Sequence, residues 1–304
     1  MQFVLLLLLR AAIFALNLLP LKFRIGVITF VIHCVTLIIP RFRKTAFVNL
    51  KLVFPERDLE FHKSILRRSY AELARVFVDF ARLPKLDRAW ADAHIKCSFL
   101  PRFLELKRQN PHKGVLIATG HLGSFELLAH YIAAQGYPIS FIVRAFKLPK
   151  IDQWWRSVRE AKGNRVISRK GAFKKIISEI GEGRDVGILF DQNVTRNHAE
   201  FVNWFGVPAA TTRALAITAL RTEAPVIVAS IFYEHSDQYC IEVKECDFSK
   251  LYQDKISSYE QKIFKITEEC SQSLQEMIRK KPEAWFWMHR RWKTRPEEES
   301  AGVY

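Results

Sequence analysis

Two apolar runs open the chain, residues 3–19 and 25–39, separated by Pro20 and the basic stretch Lys22 to Arg24. A helix over the first run reaches only about 25 Å, short of a ~30 Å hydrocarbon core. Arg10 stands near its middle, where a charge in lipid is costly. No basic residue precedes the run and Arg10 interrupts it, so it fits a cleaved signal peptide poorly. The pattern predicts a retained membrane-associated segment over residues 1–44, either crossing the bilayer or lying in its interface. Two buried helices of a soluble bundle would give the same pattern.

Beyond this segment the period changes. Residues 57–83 place Leu66, Leu73, Phe77 and Phe80 at three- and four-residue steps before Pro84, which predicts a helix covering one side of a core. Short apolar runs at 114–118, 139–143, 164–167, 186–190, 225–232 and 239–243 predict strands. Helical stretches at 125–134, 150–161, 171–180 and 211–222 alternate with most of them and supply crossovers. The fold class is therefore α/β, with a mixed, largely parallel central sheet flanked by helices. The last two strands, joined around residues 234–238, are expected to be antiparallel. Ile256, Tyr259, Ile263, Ile266, Cys270, Leu274 and Met277 form one stripe of a final amphipathic helix ending before Pro282. No repeat or low-complexity linker divides the remainder, so residues 45–304 read as one domain.

With 304 residues and 49% hydrophobic content, the chain can bury a substantial core. A formal charge of +16 favours anionic lipid, nucleic acid or an acidic protein as partner. Residues 1–55 carry seven Lys or Arg and no Asp or Glu, so much of the excess lies beside apolar segments. That distribution, without a recognition motif, argues against nucleic acid and for an anionic membrane surface. Under the positive-inside rule the rest of the chain faces the cytoplasm. Cys34, Cys97, Cys240, Cys246 and Cys270 have no metal or Cys-x-x-Cys spacing and read as reduced thiols.

The sharpest chemical signal is Gly120-His121-Leu122-Gly123-Ser124-Phe125-Glu126, directly after an apolar run and at the start of a helical stretch. In α/β folds that is where reactive groups collect. His121 is a candidate general base near neutral pH, and Glu126, five residues on, is a candidate orienter of its ring. The pair would not share a helix face, so His121 must sit in the entering turn and fold back. The competing assignment makes His121 a packing or capping residue and Glu126 a helix-start acid.

An ordered series of strings resembles the bacterial lipid A biosynthesis acyltransferases, the lauroyl and myristoyl transferase family. It runs from Arg43-Lys44-Thr45-Ala46, Asn49-Leu50 and Phe54-Pro55-Glu56 through Gly120-His121 with Glu126 to Arg144, Pro149, Asp152 and Arg159. Arg169-Lys170-Gly171, Asp191-Gln192-Asn193, the stretch from Phe205 to Thr212, and Pro282-Glu283 to Trp287 with His289-Arg290-Arg291-Trp292-Lys293 complete it. The resemblance implies a glycerolphosphate-acyltransferase-like fold and transfer of a fatty acyl group from an acyl carrier protein thioester to a hydroxyl of a lipid A precursor, at the bacterial inner membrane. His121 and Glu126 match the family's His-x4-Asp/Glu signature. The Phe-Pro-Glu-Gly-Thr-Arg block usual in glycerol-phosphate acyltransferases is absent, which favours the lipid A branch.

On this basis the expected catalytic set is His121, Glu126 and Arg159, and the expected substrate-binding set is Gly123, Ser124, Arg144, Arg169, Asp191, Arg290 and Arg291. Gly123 and Ser124 would offer backbone N–H groups to an oxyanion, and Arg159 would stand at the reaction centre. Arg144 would meet the headgroup, and Asp191, also at a strand end, would orient substrate or arginine. Arg169-Lys170 and Arg290-Arg291 would receive phosphate or the acidic carrier. Ordinary surface charge is the plainer account of each arginine. No Gly-x-Ser-x-Gly elbow makes Ser124 a nucleophile, and a helix N-cap suits it better. Trp154, Trp155, Trp285, Trp287 and Trp292 suit an acyl groove, a membrane interface or a core. No metal and no resident cofactor are expected; the acyl-phosphopantetheine thioester is a co-substrate. Acylation of another glycolipid or lysophospholipid, and non-catalytic binding of anionic lipid, are the rival functions.

Overall fold

A computed structural model of the chain describes residues 2–168, 171–299 and 302–304. Two apolar helices come first, α1 (Gln2–Asn17) and α2 (Leu21–Ile38), with the Pro20 break between them. Arg24 closes this hairpin by bonding the Asn17 and Leu19 carbonyls and the Asn17 side chain. Helix α3 (Pro40–Val53) starts at once, so the expected division at residue 44 falls inside a continuous helix. Its Ala46, Leu50 and Val53 enter the main core. Helix α4 (Leu59–Arg82) is capped by Asp58, whose carboxylate accepts from the Phe61 N–H at 2.7 Å. Helix α2 packs along α4.

Helix α5 (Arg88–His94), the two-residue β1 (Ile95–Lys96) and α6 (Leu100–Gln109) lead to β2 (Leu116–Thr119). Alternation then follows: α7 (Phe125–Ala134), β3 (Ser140–Val143), α8 (Pro149–Arg159), β4 (Arg165–Ser168), α9 (Ala172–Gly181) and β5 (Val186–Leu189). A hairpin of β6 (Ala199–Trp204) and β7 (Val207–Thr212) precedes α10 (Ala214–Thr222). The chain ends through β8 (Val226–Tyr233), β9 (Tyr239–Cys246), α11 (Ser249–Gln253) and α12 (Tyr259–Lys280).

The main sheet has the order β1-β9-β8-β2-β5-β3-β4, parallel throughout except where β8 meets β9. The α/β class, the mostly parallel sheet and the antiparallel last pair are all as the periodicity predicts. Strands buried on both faces alternate between two cores. Leu116 and Ala118 of β2 join α3, α10 and α12 on one side, while Val115 and Ile117 join α5, α6 and α7 on the other.

Three features depart from the sequence reading. The β6–β7 hairpin replaces a loop and the first turn of the helix expected at 211–222. Its two-residue turn places Phe205 at φ 54° and Gly206 at φ 86°, the left-handed pair a tight hairpin needs. Phe205 is a poor advertisement for such a turn; its conformation is held by its N–H bond to Gln275 Oε1 at 2.7 Å and by Asn203, which caps the Gly206 N–H. Ile256, expected on the last helical stripe, precedes α12 and is 97% exposed, because Ser258 forms a capping box that starts the helix at Tyr259. Helix α6 and the shorter α5 and β1 fill a stretch that the sequence reading leaves unassigned; α5 and β1 are too short to show a period.

Candidate active site

Strands β2 and β5 are parallel neighbours in the register Thr119↔Leu189. Two residues beyond each, the chain reaches His121 and Asp191, so the register itself sets these side chains opposite one another at the carboxyl edge of the sheet. Asp191 accepts from His121 twice: Oδ1 takes the ring Nδ1–H at 2.9 Å and Oδ2 takes the backbone N–H at 2.9 Å. The Trp285 indole N–H also donates to Oδ2 at 2.9 Å. Burial alone would push the Asp191 carboxyl up, but the His121 ring, its amide and the Trp285 indole bring it down to about 2. Asp191 is therefore an anion over the working pH range, and it selects the neutral tautomer of His121 that carries its proton on Nδ1, with Nε2 directed away from the carboxylate.

Close approach at this point depends on glycine. A Cβ on Gly120 would lie 3.0 Å from the Asp191 carboxyl carbon and 2.9 Å from Leu274 Cδ2. Gly123 adopts φ +61°, and a Cβ there would stand 1.9 Å from the Ile231 carbonyl oxygen. The chain behind the histidine is clamped by the C-terminal segment, since Phe286 N–H donates to His121 O at 3.0 Å and Gly123 N–H donates to Ala284 O at 2.9 Å. Gly123→Ala is expected to cost about 2 kcal/mol or more of folding stability from backbone strain alone, with a parallel loss of activity. Chemical unfolding of the purified variant checks this, and unchanged stability would contradict the close contact.

Several expected roles are corrected by this geometry. Glu126 does not hold His121. It lies in the first turn of α7, buried, and forms a two-point ion pair with Arg159 from the end of α8, at 3.0 and 2.5 Å. The left-handed turn at Gly123 separates the two side chains, as the unfavourable five-residue spacing allows. Arg159 is in turn committed to Glu126 and lies 5.7 and 5.6 Å from the Phe80 and Trp155 ring centres. The N–H groups of Gly123 and Ser124 are no free oxyanion donors, because Ala284 O and Ile231 O already accept them. Ser124 stands at the helix N-cap position, but its hydroxyl donates to Asp79 at 2.7 Å instead of capping. Arg291, expected at substrate, is wholly buried. It stacks 4.4 Å from the Trp204 ring and bonds Ala210 O and Thr211 Oγ1, and burial lowers its pKa to about 10.

Arg144 is exposed just past β3, at the same sheet edge as His121, and Arg290 is exposed beside the Tyr304 ring. Arg169 and Lys170 lie outside the described residues. Among the described residues no group of three or more His, Cys, Asp or Glu is placed to hold a metal ion.

Other residues of this region have structural roles that the sequence reading did not assign. His289 accepts from the Asn193 N–H at 2.8 Å, and burial lowers its pKa to about 4, so it stays a neutral acceptor that ties the loop after β5 to the C-terminal segment. Asn49 of α3 donates to the Trp287 and His289 carbonyls. Asp79, near the end of α4, accepts from Ser124, Tyr239 and Arg82, while Arg82 also bonds Asp237. Burial opposes the Arg82 charge, but the Asp237 bond and the Asp79 charge push its pKa up.

His121 opens onto a cavity of about 660 Å³. Its walls come from the inner faces of α1 and α2, from α4, and from the C-terminal segment. Apart from Thr36, Ser69, Glu72 and His121 the lining side chains are apolar or aromatic, and Trp154, Trp155, Trp285 and Trp287 are among them. Trp292 is core. An imidazole on the wall of an apolar cavity of this size suits chemistry on a group attached to a hydrocarbon chain.

Comparison with known proteins agrees. The family described as bacterial lipid A biosynthesis acyltransferase matches residues 2–294. The chain belongs to that family. Lipid A biosynthesis acyltransferase 2 of Shigella flexneri is 24% identical over 85% of the chain and 80% of its own length. The lipid A biosynthesis palmitoleoyltransferase of Escherichia coli (strain K12) is 22% identical over 83% and 79%. The lipid A biosynthesis myristoyltransferase of the same organism is 26% identical over 57% of the chain and 53% of its own length. This lipid A acyltransferase family member is an enzyme of acyl transfer, and the names of its relatives differ in the chain transferred.

Proposed function

We propose that this acyltransferase moves a fatty acyl group from an acyl carrier protein thioester to a hydroxyl of a lipid A precursor, with His121 as general base. The observation that carries this reading is an imidazole fixed through Nδ1 by a buried anion, its ring lining a cavity whose other walls are almost wholly apolar. The acyl chain lies in the cavity and its thioester carbonyl reaches the ring. Nε2 takes the proton of the acceptor hydroxyl as the oxygen bonds to the carbonyl carbon, and the carbonyl electron pair moves onto oxygen. When that pair returns, the C–S bond breaks and the leaving thiolate takes the proton from Nε2. Asp191 stabilises the imidazolium in between. The acyl-phosphopantetheine arm is a co-substrate, and no resident cofactor enters the scheme.

The membrane reading rests on the outer faces of the N-terminal helices. Phe14, Phe30 and Ile38 are 68%, 68% and 79% exposed, and Leu21–Ile38 has a mean hydropathy of 1.8 with only 6% of its residues buried. We place this outward face in the inner membrane, with Lys22, Arg24, Arg41, Arg43 and Lys44 at anionic headgroups and the sheet on the cytoplasmic side. The inner faces meanwhile wall the cavity. Exposed Arg144 and Arg290 are the cations offered to precursor phosphates or to the acidic carrier.

The test is incubation of detergent-purified enzyme with a panel of acyl carrier thioesters and Kdo-lipid A precursors, read by mass spectrometry. A product heavier by one acyl group is expected. His121→Ala should lower its rate by about 10²- to 10⁴-fold, and an undiminished rate would remove His121 from the mechanism. Product formed only on a lysophospholipid or another glycolipid would redirect the acceptor and leave the base in place.

A further inference from the structure

A tetrahedral intermediate needs hydrogen-bond donors for its oxyanion, and the obvious ones are already in use. Gly123 and Ser124 N–H bond Ala284 and Ile231, His121 N–H bonds Asp191, and Asn193 N–H bonds His289. Arg159 is taken by Glu126 through two nitrogens. One donor stands apart. The side-chain amide nitrogen of Gln192, half-buried next to Asp191 in the chain, lies 3.3 Å from His121 Nε2. Asp191 accepts the Nδ1–H, so Nε2 offers a lone pair and Gln192 is the donor to it.

We infer that Gln192 is the side-chain oxyanion donor of the acyl transfer, held in waiting by the base itself; this rests on the reading of His121 given above. Before reaction the amide N–H is parked on Nε2. When Nε2 takes the acceptor's proton it loses its lone pair, and the amide loses its acceptor as negative charge appears on the adjacent carbonyl oxygen. The N–H turns from nitrogen to oxygen. When the intermediate collapses the oxyanion becomes a carbonyl again, the thiolate removes the proton from Nε2, and the amide returns. The same contact orients the ring between cycles.

Donation to the oxyanion and mere support of the ring predict opposite orders for two variants. In Gln192→Ala kcat should fall by about 10²- to 10³-fold, the usual loss for one such donor, with KM for the acyl donor little changed. Gln192→Glu keeps the length but puts a negative charge against the oxyanion, so it should fall below Gln192→Ala. A glutamate supporting a protonated ring would instead work better than alanine. The inference is overturned if Gln192→Ala keeps kcat within a few fold of the unsubstituted enzyme, or if Gln192→Glu exceeds Gln192→Ala. Thermal unfolding of both variants in detergent is expected to match the unsubstituted enzyme; if Gln192→Ala melts early, the Glu-against-Ala order, measured on the folded fraction, still decides. His121→Ala is assayed alongside. Full turnover there removes the base, whereas loss there with normal turnover in Gln192→Ala removes only the donor.

Discussion

Asp191→Asn should leave a folded protein whose turnover is lower by about 10³- to 10⁴-fold, the scale seen when the carboxylate behind a catalytic histidine is neutralised. The amide can present its NH2 toward Nδ1, which selects the tautomer with the proton on Nε2 and removes the base. It also takes away the anion that stabilises the imidazolium. Steady-state assay with a defined thioester and precursor checks this, and near-unsubstituted turnover would mean that the carboxylate merely fills space. The sign of its pH effect follows from the same geometry. With its folded pKa held near 2, below the ordinary value of 3.8, Asp191 adds stability that is present above the usual carboxylate range and lost as pH falls toward 2. Any loss of activity in mild acid therefore arises elsewhere.

Both halves of that pair stand out in the amino-acid sequence as residues at the ends of apolar runs; their partnership does not. They are 70 residues apart, and β5 enters the sheet between β2 and β3 although two strands intervene in the chain. Sequence order names Glu126 as the nearest acid, while register names Asp191. Long elements such as α4 and α12 are legible because they repeat their period several times. The β6–β7 hairpin is not, since Phe205, no turn former, takes the first left-handed position of its turn and is held there by Gln275 from a distant helix. The burial of Arg291 is hidden for a similar reason, as nothing local tells a cation stacked on Trp204 from one facing water.

The second large effect is on stability. Asp79→Ala should cost about 3–5 kcal/mol, the range for removing one member of a buried ion pair. Asp79 is fully buried and draws together α4, the start of α7 and the β8–β9 hairpin through Arg82, Ser124 and Tyr239. Without it the Ser124 hydroxyl loses its acceptor, and Arg82 keeps Asp237 as its only ion-pair partner among the described residues. Equilibrium unfolding in chaotrope measures the loss. A change below about 1 kcal/mol, the scale of a solvent-exposed pair, would mean that the network is not a structural tie.

The clamp on the His121 loop is drawn from residues 284–286, beyond the last α-helix. Up to the end of α12 the chain holds every strand of the main sheet, with His121 and Asp191 at its edge, yet it lacks the indole and carbonyl that hold the His121 loop and one wall of the cavity beside it. The histidine and the parts that clamp it thus come from separate stretches of the chain, and the site is whole only once the last segment has docked.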